Sequence, residues 1–177
     1  SAGGGRVTVS GRHFGVDGAV VSVRERAADT VGYFGNLSSG GRKYFEGCVG
    51  GNGYVYAPPA HTGATHVLKI DGDADSTSFV GSDLGAGSLK WLSCATLADG
   101  DVIGVPYHAA FVLRIHVGDD TTSTFGNFDA GGFKWYGAVR AHNGYVYGIP
   151  RNAASVLKVG PDNSVAMFGT LTGGNGK

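Results

Sequence analysis

The sequence predicts an all-β fold, a β-propeller built from about four four-stranded blades of about 44 residues each. Three observations support this prediction. A unit best seen in residues 134–169 is repeated along the chain, each copy contains four short runs typical of strands, and no segment has the period of an amphipathic helix. Self-similarity at this period indicates that each unit buries its apolar side chains against its neighbours.

The first half of the unit predicts a tight hairpin. An apolar run at residues 138–141 is followed by Asn143-Gly144 and then by the β-rich run 145–149. An Asn-Gly pair between two such runs favours a type I′ turn, in which both central residues have positive φ. We therefore expect the first two strands to pair directly.

The second half of the unit predicts two further strands. Pro150 ends the second strand, because proline has no N–H to donate to a neighbouring strand. The third strand is expected at residues 155–159, a turn at residues 160–163 and the fourth strand at residues 165–168. Four antiparallel strands of this length make one propeller blade.

Sequence landmarks recur in the same order in four units. The pair before the second strand is found at Gly4-Gly5, Asn52-Gly53, Asp99-Gly100 and Asn143-Gly144. The third strand is found at residues 20–23, 67–70, 112–115 and 156–159. The predicted blades span approximately residues 1–37, 47–84, 93–128 and 137–171 of a single domain, residues 1–177.

The last residues bear on the number of blades. Residues 169–177 match residues 126–134 in phase, so they lead up to the point where a new inner strand would begin. We therefore expect a segment of a larger propeller of about five to seven blades, or one that a partner closes. The alternative is a four-bladed ring that contains one three-stranded blade.

Charge and hydropathy argue against two classes of partner. The 14 basic and 14 acidic residues balance, which leaves no electrostatic footprint for nucleic acid or anionic lipid. No apolar run comes near the roughly 18 residues of a membrane-spanning helix, so no membrane span is predicted. The 33 glycines instead indicate many turns.

The two cysteines, Cys48 and Cys94, are aligned at one position in the innermost strand, where the next copy has Ala138. They could form a disulfide between adjacent blades, or they could be small buried residues near the propeller axis. Equivalent positions on neighbouring blades are expected to lie too far apart for the short Cα separation of a disulfide. The prediction is therefore two unbonded, buried cysteines.

Turn residues and their neighbours form a predicted binding face. The equivalent residues between strands two and three are His13, His61, His108 and Asn152. The link before each new blade lies on the same side of a propeller and contains Lys90-Trp91 and Lys134-Trp135. Residues on this face that depart from the repeat are Arg42, Lys43, Tyr44, Tyr107 and Arg151. Together these are the candidate binding residues.

Each of these residue types also has a structural interpretation. Histidine or asparagine in a turn hydrogen-bonds its own backbone, and turns on separate blades diverge too far to share a metal ion. The tryptophans could stack on a sugar, but their recurrence favours a wedge between blades, with the lysine reaching water.

A run of alternating carboxylates suggests a weak candidate for calcium. Asp71, Asp73 and Asp75 have the spacing that oxygen coordination uses. Ser76 and Ser82, however, stand where an EF-hand loop needs glycine and glutamate. We therefore predict a solvated turn here, and no metal or other cofactor.

Residues 133–159 carry a family resemblance. Their sequence, FKWYGAVRAHNGYVYGIPRNAASVLKV, resembles a kelch-like propeller repeat of the form KWxGGVxAxNGxIYGIPxNAxxVLxID, found in many algal, protist and bacterial proteins. The resemblance covers nearly the whole chain and implies a β-propeller with no defined activity. The first unit departs most, with Val9-Ser10-Gly11 in place of Gly-Ile-Pro.

The sequence favours a non-catalytic interaction or scaffold module that acts as a subunit of a larger protein assembly. It contains only two glutamates and no Gly-x-Ser-x-Gly, phosphate-loop or His-Glu metal motif, so no catalytic residue is predicted. Two alternatives are a carbohydrate-binding propeller that uses Trp91 and Trp135, and a propeller lyase or hydrolase with the histidines in its site.

Overall fold

A computed structural model describes residues 32–37 and 41–171. The chain divides into two compact units, Ser1–Tyr33 and Phe34–Lys177, and every described strand belongs to the second unit. Twelve strands and no helix are found in the described part of the chain. Accordingly, those residues contain no helix long and apolar enough to cross a membrane.

The strands form three four-stranded antiparallel sheets, each with its strands in chain order. The first sheet consists of β1 (Cys48–Val49), β2 (Val55–Ala57), β3 (Val67–Asp71) and β4 (Ser76–Val80). The second consists of β5 (Trp91–Thr96), β6 (Val102–Pro106), β7 (Val112–His116) and β8 (Thr121–Phe125). The third consists of β9 (Trp135–Arg140), β10 (Val146–Pro150), β11 (Val156–Val159) and β12 (Val165–Phe168).

Three of the predicted four-stranded units therefore appear as sheets, and the all-β prediction is confirmed. The unit predicted at residues 1–37 lies almost wholly outside the described residues, as does His13. Trp91 and Trp135 begin the first strands of their sheets, so they belong to β5 and β9 and not to the links before them.

The hairpin loops form differently from the prediction. Gly144 has φ of 84°, whereas Asn143 is absent from the residues with positive φ. The loop closes with the Gly144 N–H donating to Ala141 O at 3.0 Å and the Ala141 N–H donating to Tyr145 O at 3.0 Å. The predicted type I′ turn is therefore wrong. A turn made by residues 142 and 143 with negative φ is followed by glycine as the left-handed bulge residue.

The sheets pack face to face through two apolar cores. β1 contacts β5 and β5 contacts β9, so the first strands lie together. Between the first and second sheets the core contains Tyr56, Val67, Val80, Trp91, Cys94, Val102, Leu113 and Ile115. Between the second and third sheets it contains Ala95, Leu97, Ile103, Val105, Val112, Trp135, Val146, Leu157 and Val159. We term these the first and second junctions.

Strand alternation gives each sheet two faces with different neighbours. The forward face of a sheet is the one that packs against the next sheet in chain order, and the backward face is the opposite one. In the second sheet Ile103 and Val105 point forward into the second junction, whereas Val102 points backward into the first.

Cys48 and Cys94 form a disulfide across the first junction, with Cα atoms 6.0 Å apart, so the prediction that they stay unbonded is wrong. The two residues are not equivalent. Cys48 pairs with Tyr56, while Ala95 pairs with Ile103, the counterpart of Tyr56. The two hairpins have the same length, so Cys48 takes the position of Ala95, which lies one residue beyond Cys94. A one-residue offset reverses the face of a strand side chain, so Cys48 points forward, Cys94 points backward, and they meet.

Candidate functional site

The links between sheets are held by a repeated set of backbone hydrogen bonds. The Lys134 N–H donates to Tyr107 O of the second sheet at 3.0 Å, and the Arg151 N–H donates to Lys134 O at 2.8 Å. The same bonds join Lys90 to Ala60 at 2.8 Å and Tyr107 to Lys90 at 2.9 Å. Each link therefore ties the preceding sheet to the second strand of its own sheet.

The link lysines are structural. Lys134 Nζ donates to Asp129 O at 2.6 Å and to Gly131 O at 2.9 Å. Lys90 Nζ donates in the same way to the carbonyl oxygens of Ala64 and Gly85. Burial lowers the pKa of both ammonium groups, against the raising influence of nearby carboxylates. Lys90 is buried, so the expectation that it reaches water is wrong, whereas Lys134 is half-buried and binds the loop that leads to it.

The link tryptophans are core residues. Trp91 and Trp135 are 5% and 2% exposed. The Trp91 Nε1–H donates to Phe111 O and the Trp135 Nε1–H donates to Ser155 O, each at 2.9 Å. A buried indole with its N–H satisfied fills space between sheets, as the wedge interpretation predicts. The structure therefore removes both tryptophans from the candidate binding face.

The histidines of the predicted ring occupy unlike surroundings. His61 Nδ1 lies 3.1 Å from Thr62 Oγ1, a local turn contact. His108 is packed between aromatic rings, and its Nε2 is buried without a hydrogen-bond partner among the described residues. At the third position Asn152 is exposed, and its N–H donates to Phe133 O at 3.1 Å. Within the described residues, no three His, Cys, Asp or Glu side chains are grouped to hold a metal ion.

The candidates before the first sheet line a shallow cleft. Residues 41–45 border an open cleft of about 700 Å³. Arg42 is exposed, while Lys43 and Tyr44 are half-buried. The Tyr44 hydroxyl donates to His66 O at 3.1 Å, and burial raises the pKa of Tyr44 to about 12. Tyr44 therefore anchors this link to the first sheet.

The carboxylate run is a hydrogen-bonded turn. Asp71 Oδ1 accepts from the N–H groups of Asp73 at 3.0 Å and Ala74 at 2.9 Å. Asp75 has φ of 49° and is exposed at the end of the turn. An aspartate that caps its own turn explains this sequence without a ligand.

Tyr107 lies at the centre of the most distinctive group on the loop face. Its ring stacks on His108 at 5.3 Å between centroids and meets Phe133 and Tyr136 edge-on at 5.4 and 5.8 Å. The Arg151 guanidinium lies 5.5 Å from the Tyr107 ring and 5.1 Å from the Phe133 ring. We term these five residues the cation–aromatic cluster. The repeat placed Tyr107, His108 and Arg151 on this face, but it gave no signal for Phe133 and Tyr136.

The cation–aromatic cluster offers both apolar surface and charge to a partner. Tyr136 is 56% exposed, Phe133 is 39% exposed, and Arg151 is exposed beside them. A cleft of about 590 Å³ adjoins the cluster, lined by Tyr136, Gly137, Ile149, Pro150 and Arg151. No carboxylate of the described residues forms an ion pair with Arg151. The guanidinium therefore keeps its hydrogen-bond donors available to an external acceptor.

A second set of polar residues, which the repeat did not single out, forms clamps across the two junctions. Lys69 of the first sheet pairs with Asp120 of the second, Nζ to Oδ2 at 2.6 Å. The Tyr56 hydroxyl donates to the other oxygen of Asp120 at 2.9 Å, and it accepts from Asn52 Nδ2 at 2.8 Å. The hydrogen bond to Asp120 raises the pKa of Lys69, and burial raises that of Tyr56. One carboxylate is thus held by two donors.

The clamp at the second junction has a different composition. Arg114 pairs within its own sheet with Asp99 at 2.6 Å and Asp101 at 2.7 Å. Its Nη1 donates to Pro161 O at 2.6 Å and to Asn163 Oδ1 at 2.8 Å in the third sheet. The signal for both clamps lies in the sequence: a cation in the middle of the third strand, at Lys69, Arg114 and Lys158, and Asp or Asn in the following turn, at Asp75, Asp120 and Asn163.

Comparison with known proteins bears on the fold. No protein-family model and no curated protein matches the chain. Solved structures do. A catalytically inactive variant of virginiamycin B lyase from Staphylococcus aureus matches with a TM-score of 0.62, 12% sequence identity and 77% of this chain covered. The architecture is that of a β-propeller. At this identity the likeness shows the fold alone.

Two further solved structures, of differently named proteins, also match the chain. An auxiliary nutrient binding protein from Bacteroides ovatus matches with a TM-score of 0.55 at 13% identity over 74% of this chain. Hydrazine synthase from Kuenenia stuttgartiensis matches with a TM-score of 0.53 at 11% identity over 71%. The matched regions are 44%, 33% and 35% of the lyase, the nutrient-binding protein and the synthase. The chain thus spans less than half the length of each of these three proteins.

Proposed function

We propose that this chain is a non-catalytic interaction module, and that it binds a protein partner through the cation–aromatic cluster as part of a larger assembly. The observation that supports this proposal is the exposure of Tyr136, Phe133 and Arg151 on one rigid surface. Tyrosine and arginine are among the side chains that contribute most to protein–protein affinity.

The scaffold beneath the cluster favours recognition with little reorganisation. The buried Tyr107 fixes the rings of Phe133 and Tyr136, and the Lys134 backbone holds the second and third sheets in one arrangement. A surface that is ordered before binding loses less conformational entropy when a partner docks. The partner side chains that fit are a carboxylate for Arg151 and an apolar or aromatic group for the neighbouring cleft.

The test begins with the native protein and whatever binds it. A photo-reactive amino acid placed at Tyr136 cross-links the partner for identification, and the affinity of the purified partner is then measured. Tyr136→Ala and Arg151→Ala should each weaken binding by about tenfold or more. The matched control is Phe79→Ala, because Phe79 is also an exposed ring, on β4, and this change should alter affinity less than about twofold.

Two results would contradict the proposal. Glycan binding that is lost in Tyr136→Ala would make the chain a carbohydrate-binding propeller, although without the buried Trp91 and Trp135. Turnover that depends on an added divalent metal and is lost when His61 and His108 are both changed to alanine would make it an enzyme. The kelch-like repeat assignment remains a prediction, and it is compatible with each of these functions.

A further inference from the structure

The forward face of the third sheet is apolar in the same pattern as the forward face of the second, but it is exposed. Ile149 is 47% exposed, whereas its counterpart Val105 is fully buried. Val139 is 51% exposed, whereas its counterpart Ala95 is 8% exposed. Phe168 at the outer strand is 49% exposed. In the second sheet these positions are covered by the backward face of the third.

The third sheet also repeats the polar clamp of the first sheet, residue for residue. Asn52, Tyr54, Tyr56 and Lys69 of the first sheet correspond to Asn143, Tyr145, Tyr147 and Lys158 of the third. In the second sheet these positions hold Asp99, Asp101, Ile103 and Arg114. The repetition is therefore specific to the first and third sheets.

The geometry of the two clamps agrees. Asn143 Nδ2 donates to the Tyr147 hydroxyl at 2.8 Å, the same distance as between Asn52 and Tyr56. The Lys158 ammonium lies 3.8 Å from the Tyr145 ring centroid. The Lys69 ammonium lies 4.2 Å from the ring of Tyr54, the counterpart of Tyr145. The donors of the third sheet are thus held in place as those of the first sheet are.

The first sheet shows what this arrangement binds. Asp120 lies in the turn between β7 and β8 with φ of 57°, and it presents its two oxygens to Lys69 and Tyr56. In the part of the chain that the structure describes, Lys158 has no carboxylate within ion-pair distance, and Tyr147 donates to no acceptor. The third sheet therefore contains the donors of a carboxylate receptor without the carboxylate.

We infer that the forward face of the third sheet binds a further blade of this repeat, and that an aspartate in the turn between the third and fourth strands of that blade pairs with Lys158 and Tyr147. This inference rests on the proposed function, because it names the kind of protein that the interaction module binds. The chemistry of the occupant is defined. Its backward face carries Trp, Val and Leu side chains together with either Ile or Val, and the turn between its third and fourth strands carries an aspartate.

The forward faces of the first and second sheets are each covered by a following sheet, which favours a folded blade over a flexible peptide as the occupant. At the first junction, the clamp and the apolar rows are engaged together, because Asn52 Nδ2 also donates to Val117 O of the incoming sheet at 2.7 Å. A blade presents backbone carbonyls, an apolar face and a turn carboxylate at fixed spacing. A flexible acidic peptide would fill the receptor and leave Val139, Ile149 and Phe168 uncovered.

The test supplies such a blade in register. Because residues 169–177 repeat residues 126–134 in phase, a copy of residues 91–126 appended after Lys177 carries its own Cys94 and Asp120 to the third sheet. Val139→Cys places a thiol at the position that Cys48 occupies on the first sheet. Oxidation of the purified chain followed by peptide mapping then reports whether that thiol pairs with the copied Cys94, as Cys48 pairs with the original Cys94.

We expect the new disulfide to form readily in the extended chain. The matched control is Met167→Cys, an exposed position on the backward face of the third sheet, which should not cross-link to the copy. Lys158→Glu should slow cross-linking about fivefold or more, because it opposes like charges across the junction. Lys158→Asp combined with Asp120→Lys in the copy should restore the rate.

Two outcomes overturn the inference. One is the absence of the cross-link, with the appended copy exchanging its amide hydrogens as an unfolded segment does. The other is a cross-linking rate that Lys158→Glu leaves unchanged. The proposed function can fail separately, because it is tested by Tyr136→Ala and Arg151→Ala on the native partner. If those variants weaken binding while the appended blade does not dock, the partner is a protein of another kind.

Discussion

The second and third sheets are built from the same pattern of residues, yet they differ in how much of that pattern is buried. In the second sheet β6 is buried along its whole length, whereas β10 alternates between buried and exposed positions. The backward faces match: Val102 and Val146 are both fully buried, and so are Leu113 and Leu157. Only the forward faces differ, because among the described strands a following sheet packs against the second sheet and none packs against the third.

This difference shows where the stability of a blade comes from. The repeat encodes two apolar faces in every copy, but a face contributes free energy only when a neighbouring sheet removes it from water. The contribution of a given type of side chain to the free energy of unfolding therefore depends on whether a junction buries it.

Loss of the disulfide should cause the largest loss of stability. It should weaken the first junction, where the second sheet is held, and not the second junction, where the third sheet is held. Cys48 and Cys94 close a loop of 46 residues. In the chain-entropy account a cross-link of this length contributes about 4 kcal/mol to the free energy of unfolding. We expect Cys48→Ser with Cys94→Ala to lower the denaturation midpoint accordingly, as measured by urea unfolding under oxidising conditions.

The second junction provides the matched control. Ala95 and Ala138 occupy the positions that Cys48 and Cys94 hold at the first junction. Ala95→Cys with Ala138→Cys should therefore form a second disulfide that peptide mapping detects. If this pair failed to oxidise, the assignment of Cys48 to the position of Ala95 would be contradicted.

Equivalent truncations on the two forward faces should differ in cost. Val105→Ala removes fully buried methyl groups and should cost about 2 kcal/mol. Ile149→Ala removes a larger group from a half-exposed position, and it should cost less than about 1 kcal/mol. Urea unfolding of both variants measures the difference. In the chain extended by a further blade, the cost of Ile149→Ala should rise to that of Val105→Ala; an unchanged cost would mean that the position stays open.

Acid should weaken the clamp of the second sheet, which has no counterpart in the third. Burial raises the pKa of Asp101, but hydrogen bonds from Arg114, the Val117 N–H and His116 outweigh this influence and hold the pKa below its ordinary value of 3.8. A carboxyl group with a depressed folded-state pKa stabilises the fold above its unfolded pKa, and this contribution is lost as pH falls through the folded pKa.

The measurement compares wild type with Asp101→Asn. At pH 7 the wild type should be more stable, and the difference in unfolding free energy should shrink as pH falls below about 4. Asp73→Asn, at an exposed turn in the first sheet, is the control and should show little difference at either pH. A difference between wild type and Asp101→Asn that persists at pH 2 would show that the amide itself disturbs the site.

Much of the fold was predictable because the repeat carries local signals. The Asn-Gly pairs and Pro150 marked the strands, and the recurrence of the tryptophans correctly favoured a wedge over a ligand contact. The disulfide was missed because Cys48 and Cys94 were aligned one residue out of phase. Cys48 lies four residues before Asn52, as Ala95 lies four residues before Asp99, so the hairpin landmarks and the strand pairing agree that Cys48 corresponds to Ala95. Its side chain therefore points to the opposite face from that of Cys94.

The candidate site was less predictable. The repeat indicated which turns share a face and favoured a buried role for the two tryptophans, but it did not indicate that burial also removes Lys90 from that face. The cation–aromatic cluster depends on Phe133, which has φ of 51° and whose ring meets that of Tyr107 edge-on. Contacts of this kind join residues far apart in the chain, so no local pattern encodes them.

The position of the disulfide also determines how this array can come apart. The bond joins innermost strands, so the first and second sheets can separate only at their outer strands. Apart from the connecting segment 126–134, noncovalent contacts alone hold the third sheet against the second among the described residues. Partial opening should therefore release the third sheet as one piece. A protease at low concentration is expected to cleave first in residues 126–134, the segment that this opening exposes. Under reducing conditions that preference should fall, because both junctions then open by the same route.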